Sequence, residues 1–413
     1  MTSAPDIAAP IIGLAALARL IYEGGDAQAL GTWLSDRIIA DANDSGAFLD
    51  LAALVQLSGD RENGLSLQET ALGLNRLYST AHGDGSGPRV LMLMVAGDMM
   101  ANTPLDFLLE SSNARLYSAY LDAAGRPPMP LPEHDVAFFG IGETTANQPI
   151  LAAWDPVARR WPVSMLNADP AGIARLTRDN VSGLFADEPS LLCPITVRAT
   201  RSDLADIAAG ASTATALLKG ADFPIIVRPT WSHAGKGLER IEAAAELTAY
   251  LDAHADDIFF VSPYIDYRSP DGLFRKQRIV FIGGAPHIAH MAISEHWMVH
   301  YLSAGMRENA GRRAEEAAFM ASFDEDFCQR HAEAFAALNR TFGLDYYGID
   351  CAETQDGRLL LFEADVAMIV HALDDEETFP YKKPAMARVF AAFHDLLVAS
   401  AARIQVMDAG LVA

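Results

Sequence analysis

Three carboxylates in the segment GIDCAETQDGRLLLFEAD, residues 348–365, carry the strongest chemical signal in this chain. Two apolar runs flank Asp356 and Gly357, a dipeptide that favours a two-residue hairpin loop. Pairing outward from Gln355 opposite Arg358 sets Asp350 across from Glu363, and directly opposed side chains stand roughly 5 Å apart. Asp365 follows Glu363 by two residues, so all three acids project from one face of the ribbon. Like charges this close need compensation. A divalent cation supplies it, and Mg²⁺ held by few carboxylates usually coordinates substrate phosphates as well. An exposed acidic hairpin without a ligand is the plainer alternative.

Cations that could meet a phosphate lie upstream. In FPIIVRPTWSHAGKGLERI, residues 223–241, two strand-like runs enclose a loop with Gly235 and Gly237 around Lys236. Glycines let backbone N–H groups approach an anion closely, and a lysine at the tip adds a point charge. The segment is not a Walker A loop, because glycine rather than Ser or Thr follows Lys236 and the chain continues as strand. Arg228 stands in the first run. After the apolar run IFFVSPYI comes RKQRIVFIGGAPHIAHMAIS, which carries Lys276 and Arg278 ahead of a Gly283–Gly284 hairpin turn.

Several histidines invite a zinc reading: His296 and His300 are four apart, and His371 follows the carboxylates. No Glu stands after the first of them, so substrate contact or structural hydrogen bonding is the better reading. Lys382 and Lys383 in FPYKKP could attract an anion, although surface lysines are usually solvated.

Composition limits the partners. The 413 residues are 51% hydrophobic and 21% charged, which suits two or three packed domains. A net charge of −23 disfavours nucleic-acid backbones and anionic membranes as partners. Cys193, Cys328 and Cys351 are too far apart for a zinc signature and odd in number, which suits a reducing, cytoplasmic compartment. IIGLAALARLI near the N-terminus lacks a preceding basic region and is interrupted by Arg19, so it reads as a core helix. No other stretch reads as a membrane span.

The elements that must position these residues fall into three regions. Residues 10–80 read as three to five short amphipathic helices punctuated by GGD, NDSG and SGDREN, either faintly tetratricopeptide-like or a plain helical cap. HGDGSGP, residues 82–88, marks a domain boundary. From 89 to about 200, RVLMLMVA, a helix near TPLDFLLESS, DVAFFGIG and a helix near NQPILAAW predict a small parallel α/β sheet. GIGETTAN, residues 140–147, follows the second strand and reads as an ordinary strand-to-helix turn, although it could face a ligand.

The order of glycine loop, strand with linker, basic hairpin and carboxylate hairpin resembles the ATP-grasp superfamily over roughly residues 160–400, most closely in GID…DGRLLLFEAD. The resemblance implies α/β and α+β structure: a helical region (1–85), a small α/β domain (86–190) and a two-lobed nucleotide module (191–405, lobes about 191–258 and 259–405). It implies nucleotide contacts from Arg178, Arg228, the loop His233 to Gly237 with Gly235 and Lys236, and the linker Ser262, Pro263, Tyr264 and Ile265. It implies that Arg278, with Lys276 nearby, acts at the reacting phosphate and carboxylate, and that Asp350, Glu363 and Asp365 hold the metal. Three positions depart from the family pattern: Asp365 stands where Asn is common, Lys276 where an acid is common, and Arg228 where lysine is common.

The activity implied is ATP-dependent, ADP-forming ligation of a carboxylate to an amine or thiol through an acyl phosphate, with Mg²⁺ or Mn²⁺. The substrates expected are small molecules or peptides, and a protein partner or homodimer is left open. The alternatives are a nucleotide-binding regulator whose helices dock a partner, and a phosphotransferase on the same scaffold.

Overall fold

The structure is a computed structural model and describes residues 7–232 and 235–410, with side chains as far as 402. The fold is mixed α/β and α+β, as the sequence predicts, and its described strands form three sheets.

The helices come first: α1 (Leu14–Tyr22), α2 (Ala27–Ala40), α3 (Ser45–Leu57) and α4 (Arg61–Leu74). The punctuation between them supplies their caps. Asp26, Asp44 and Asp60 accept from the backbone N–H of Ala29, Ala47 and Asn63 at 2.8, 2.9 and 3.2 Å, satisfying donors that a helix start leaves open. Leu49 of α3 and Ala71 of α4 pack on Tyr78 and Tyr120 of the first sheet, so the helices cover part of that sheet.

That sheet contains β1 (Ala9–Pro10), β2 (Leu77–Ala81), β3 (Arg89–Met94), β4 (Arg115–Tyr120), β5 (Val136–Phe139) and β6 (Met165–Leu166) in the order β1-β2-β4-β3-β5-β6. β4, β3, β5 and β6 are parallel, whereas β2 runs antiparallel to β4. The expected parallel sheet is therefore mixed. HGDGSGP lies between β2 and β3, so strands on both sides of it join one sheet. The helix expected near TPLDFLLESS is the single turn Leu105–Leu108, and the one near NQPILAAW is Gln148–Ala158.

The second sheet holds β8 (Val197–Thr200), β9 (Ile225–Pro229), β10 (Glu239–Ile241) and β11 (Ile258–Pro263). The third has the order β13-β12-β14-β15-β7, formed by β7 (Leu191–Leu192), β12 (Phe274–Ile282), β13 (Ala285–Ser294), β14 (Tyr346–Glu353) and β15 (Leu359–Asp365). Gly283 and Gly284, at φ +57° and +83°, make the expected two-residue turn between β12 and β13.

The carboxylate hairpin reaches the expected register by another route. Its loop has three residues, not two: Thr354 N–H donates to the Arg358 carbonyl at 2.9 Å, and Gly357 takes φ +81°. That shifts the pairing by one, to Glu353 opposite Leu359 and Cys351 opposite Leu361. A bulge at Phe362 then shifts it back, so Asp350 faces Glu363 after all.

The reading that no stretch past the N-terminus could span a bilayer needs correction, since Lys382–Ala402 is long and apolar enough by length and composition. In the fold it begins the helix Lys382–Gly410, and Met386, Val389, Phe390 and Phe393 pack against Val280, Ile282, Tyr346 and Phe138. Those four residues belong to the core, whereas Val398 is exposed.

Candidate active site

Strand pairing sets His290, Arg278, Asp350 and Glu363 in one row across β13, β12, β14 and β15. Alternation along β12 puts Ile282, Val280, Arg278 and Lys276 on one face, so that face passes from apolar core to charged site within a few residues. Asp350 is only 3% exposed. Arg278 donates to it from Nε at 2.8 Å and Nη2 at 3.1 Å, and Lys276 Nζ lies 2.9 Å away. Burial by itself would raise the Asp350 carboxyl, but Arg278 and Lys276 hold it well below the usual range. Arg278 Nη1 donates to the Ile369 carbonyl at 3.1 Å, which leaves one N–H on each terminal nitrogen for a ligand.

Glu363 has a different partner. Arg178, the first residue of the helix Arg178–Leu184, places Nη2 2.5 Å from its carboxylate. Burial opposes ionisation of Glu363, yet Arg178 carries it below its ordinary value. Asp365 lies close to Glu143, a residue of GIGETTAN not singled out from the sequence, and the two influence each other's ionisation. Burial, and then Asp365, push Glu143 well above its ordinary value, and burial and Glu363 push Asp365 upward too. The strand order explains the meeting. β4 and β5 leave β3 on opposite sides, and ligands of α/β sheets bind in the crevice at such a reversal, beyond the strands' carboxyl ends. Glu143 follows the carboxyl end of β5. An acid after GxG is too common to be informative without that order.

The second sheet brings Arg228 on β9. Its Nε donates to Ser232 Oγ at 3.1 Å and its Nη2 to the Ser232 carbonyl, and it makes no ion pair among the described residues. Burial, and then the like charge of Arg178, push it down to about 9. Next to it, Gly235 and Gly237 take φ +76° and +65°, and a Cβ on Gly237 would meet Pro229 Cδ at 2.9 Å. Lys236 Nζ sits 5.3 Å from the Trp231 ring centroid. His233 lies outside the described residues. Ser262 and Pro263 end β11, paired with Ile226 and Ile225. Tyr264 follows with the Arg240 guanidinium 3.9 Å from its ring centroid, and Ile265 packs at the edge of an apolar cluster around Tyr267 and Phe274.

The structure thus gathers Arg178, Lys276, Arg278, Asp350, Glu363 and Asp365 and adds Glu143. Asp350 is engaged by two cations, and no three His, Cys, Asp or Glu side chains among the described residues are grouped to hold a metal ion. Glu363 and Asp365 remain, two neighbouring carboxylates on one face, and Mg²⁺ bound with phosphates needs no more than one or two. Those two fit the ion, with Glu143 beside them, while Arg178 already pairs with Glu363 as Arg278 and Lys276 do with Asp350.

The histidines form no zinc site. His296 and His300 lie in an irregular segment rather than on a helix, and the His371 ring rests 5.9 and 6.1 Å from those of Tyr22 and Phe107. Lys382 was expected to be solvated but is 3% exposed, paired with Glu316 at 3.0 Å, whereas Lys383 is exposed.

Fold and site together define a mixed α/β protein in which basic residues of two sheets, Arg228 of the second and Lys276 and Arg278 of the third, come near a row of buried carboxylates. No family model and no curated protein matches the sequence. Solved structures do resemble it. The D-alanine–D-alanine ligase of Bacillus anthracis complexed with ATP is 12% identical, with 78% of this chain and 99% of that chain covered and a TM-score of 0.44. The VanG D-Ala:D-Ser ligase of Enterococcus faecalis is 11% identical, with 76% and 100% covered and a TM-score of 0.46. A RimK-domain ATP-grasp protein of Sphaerobacter thermophilus is 15% identical, with 75% and 99% covered and a TM-score of 0.39. At such values the role of each residue rests on this chain's own geometry.

Proposed function

We propose that the protein is an ATP-grasp-type, ATP-dependent ligase that activates a carboxylate as an acyl phosphate and passes it to an amine or thiol, releasing ADP. One observation carries the reading: Arg228 is buried, makes no ion pair among the described residues and is near enough to Arg178 to feel its like charge, with Glu363 the carboxylate that acts on both. A buried guanidinium without a counter-charge is costly, and a polyphosphate is the anion that would relieve it.

In this reading the glycine loop turns backbone N–H groups toward the phosphates, Arg228 and Arg178 neutralise charge on the transferred group, and Tyr264 and Ile265 flank the base. Arg278, held in orientation by Asp350, presents its two remaining N–H groups to the carboxylate substrate, and Lys276 adds charge beside it. Glu363 and Asp365 would hold Mg²⁺, which supplies charge neutralisation at phosphate oxygens. The substrates are small or peptidic, and the −23 net charge speaks against nucleic acid.

The second reading, a nucleotide-binding protein without turnover, has one observation in its favour: Asp350 is engaged by Lys276 and Arg278 rather than free for a metal. ADP release from ATP and Mg²⁺ in pooled carboxylic acids and amino acids decides between them, with Glu363→Ala as control. Release that needs both a carboxylate and an amine, absent in the variant, supports the ligase. Nucleotide binding without release supports the second reading, a phosphorylated rather than ligated product points to a phosphotransferase, and no nucleotide binding overturns all three.

A further inference from the structure

Beyond β15 the chain has no helix or strand from residue 366 to residue 374. Val366, Ala367, Met368, Val370 and Leu373 are buried, so the segment runs through the core rather than over the surface. Its backbone takes no part in a ladder: among the described residues, none from 367 to 374 makes a backbone-to-backbone hydrogen bond. Buried carbonyls need donors, and two of these are served by guanidinium groups from distant elements. Arg278 Nη1 on β12 donates to the Ile369 carbonyl at 3.1 Å, and Arg19 Nη2 on α1 donates to that of Ala372 at 3.2 Å.

The segment therefore joins the arginine assigned to the substrate carboxylate to the N-terminal helices. Packing follows the same path. Ile369 lies against an apolar cluster of Ala15 and Ala18 from α1 with Phe107 and Leu373. The His371 ring stands 5.9 Å from that of Tyr22 on α1, and its Nδ1 accepts from Leu373 N–H at 3.2 Å. Arg19 is itself aimed. Its Nε donates to Glu110 at 2.7 Å and its Nη1 pairs with Glu23 at 3.3 Å, and because a guanidinium is a rigid fork these contacts set the direction of Nη2.

We propose that the N-terminal helices are a working part of the ligase site, with Arg19 as a positioning residue for Arg278. By holding the Ala372 carbonyl, Arg19 fixes residues 369–372, and the Ile369 carbonyl in turn fixes the angle at which the remaining N–H groups of Arg278 meet the carboxylate. The inference rests on the ligase reading above and gives the helices a role inside this chain rather than as a dock for a partner.

Two variants of the full chain test it. Arg19→Met keeps an apolar stem against the segment and removes the guanidinium. Leu34→Ala opens a cavity beside Ala47 and Leu54, destabilising the same helices without touching the segment. The first readout is the Nε–H resonance of Arg278 in ¹⁵N-labelled protein, assigned by its loss in Arg278→Lys, which needs no substrate. It should shift or broaden in Arg19→Met and stay in place in Leu34→Ala. The second is ADP release from ATP and Mg²⁺ with the pooled carboxylic acids and amino acids. In Arg19→Met the acid concentration for half-maximal release should rise roughly tenfold, as loss of one oriented hydrogen bond to a charged group does, with the nucleotide Kd unchanged. The proposal is overturned if the Arg278 resonance and the acid dependence are unaltered in Arg19→Met, or if Leu34→Ala changes both as much. Absence of ADP release from the unaltered protein would overturn the ligase reading and the proposal with it, and the resonance distinguishes that failure from a missing link between Arg19 and Arg278.

Discussion

Asp350 and Glu363 are directly opposed across the third sheet, yet they answer to different cations: Arg278 and Lys276 hold the first, and Arg178 the second. Each carboxylate in the row is thereby fixed by a residue from another element, which gives the site its rigidity and makes its parts separable by mutation.

Replacing Arg278 by Met leaves Asp350 buried beside Lys276 alone. Unpairing a buried charge costs roughly 3–5 kcal/mol, and with Lys276 retained a loss of about 3 kcal/mol in urea unfolding is expected. Adding Asp350→Leu and Lys276→Met, so that no charge of the cluster is left without its partner, should recover most of it. Strictly additive losses in the triple variant would show that the three do not act as a unit.

Arg228→Gln should separate binding from stability. Removal of a charged donor to phosphate is expected to raise the nucleotide Kd roughly ten- to a hundredfold by titration calorimetry. Tm should stay level or rise, because the arginine is buried without an ion-pair partner. A fall in Tm with unchanged Kd would remove Arg228 from the nucleotide site.

Asp50 ties α3 to the start of α1, and burial, the largest influence on it, pushes its carboxyl up to about 6. The folded value exceeds the unfolded value near 3.9, so the folded state binds more protons between them. That contribution is fully present below about pH 4 and fades as pH rises through about 6, amounting to about 3 kcal/mol. Asp50→Asn should flatten this part of the profile, and unfolding measured at pH 4, 5 and 7 in both proteins checks it.

Glu316 is fully buried and receives Lys382 at 3.0 Å, Tyr301 OH at 2.9 Å, Tyr381 OH at 2.6 Å and Met291 N–H at 3.0 Å. Glu316→Ala strands Lys382, whose other carboxylate, Asp374, is 3.6 Å away. A loss of roughly 3–5 kcal/mol is expected in denaturant unfolding, and less for Glu316→Leu paired with Lys382→Met.

The sequence by itself determined a good deal. Aspartates before the helical runs became N-caps, Gly283 and Gly284 became the tight turn, and the Asp350–Glu363 opposition was legible from the Asp356–Gly357 signal. These are local properties, fixed by backbone sterics and by capping chemistry within a few residues. Even so, the opposition was right through two offsets that cancel, because a bulge depends on how the third sheet packs. Only the tertiary structure decided which charges meet. Arg178 reaches Glu363 across 185 positions of chain and Glu143 reaches Asp365 across 222, by subtraction of residue numbers. Lys382 is buried because its helix begins inside the core. Ion pairs between distant segments follow from strand order and domain packing, and spacing along the chain carries no record of either.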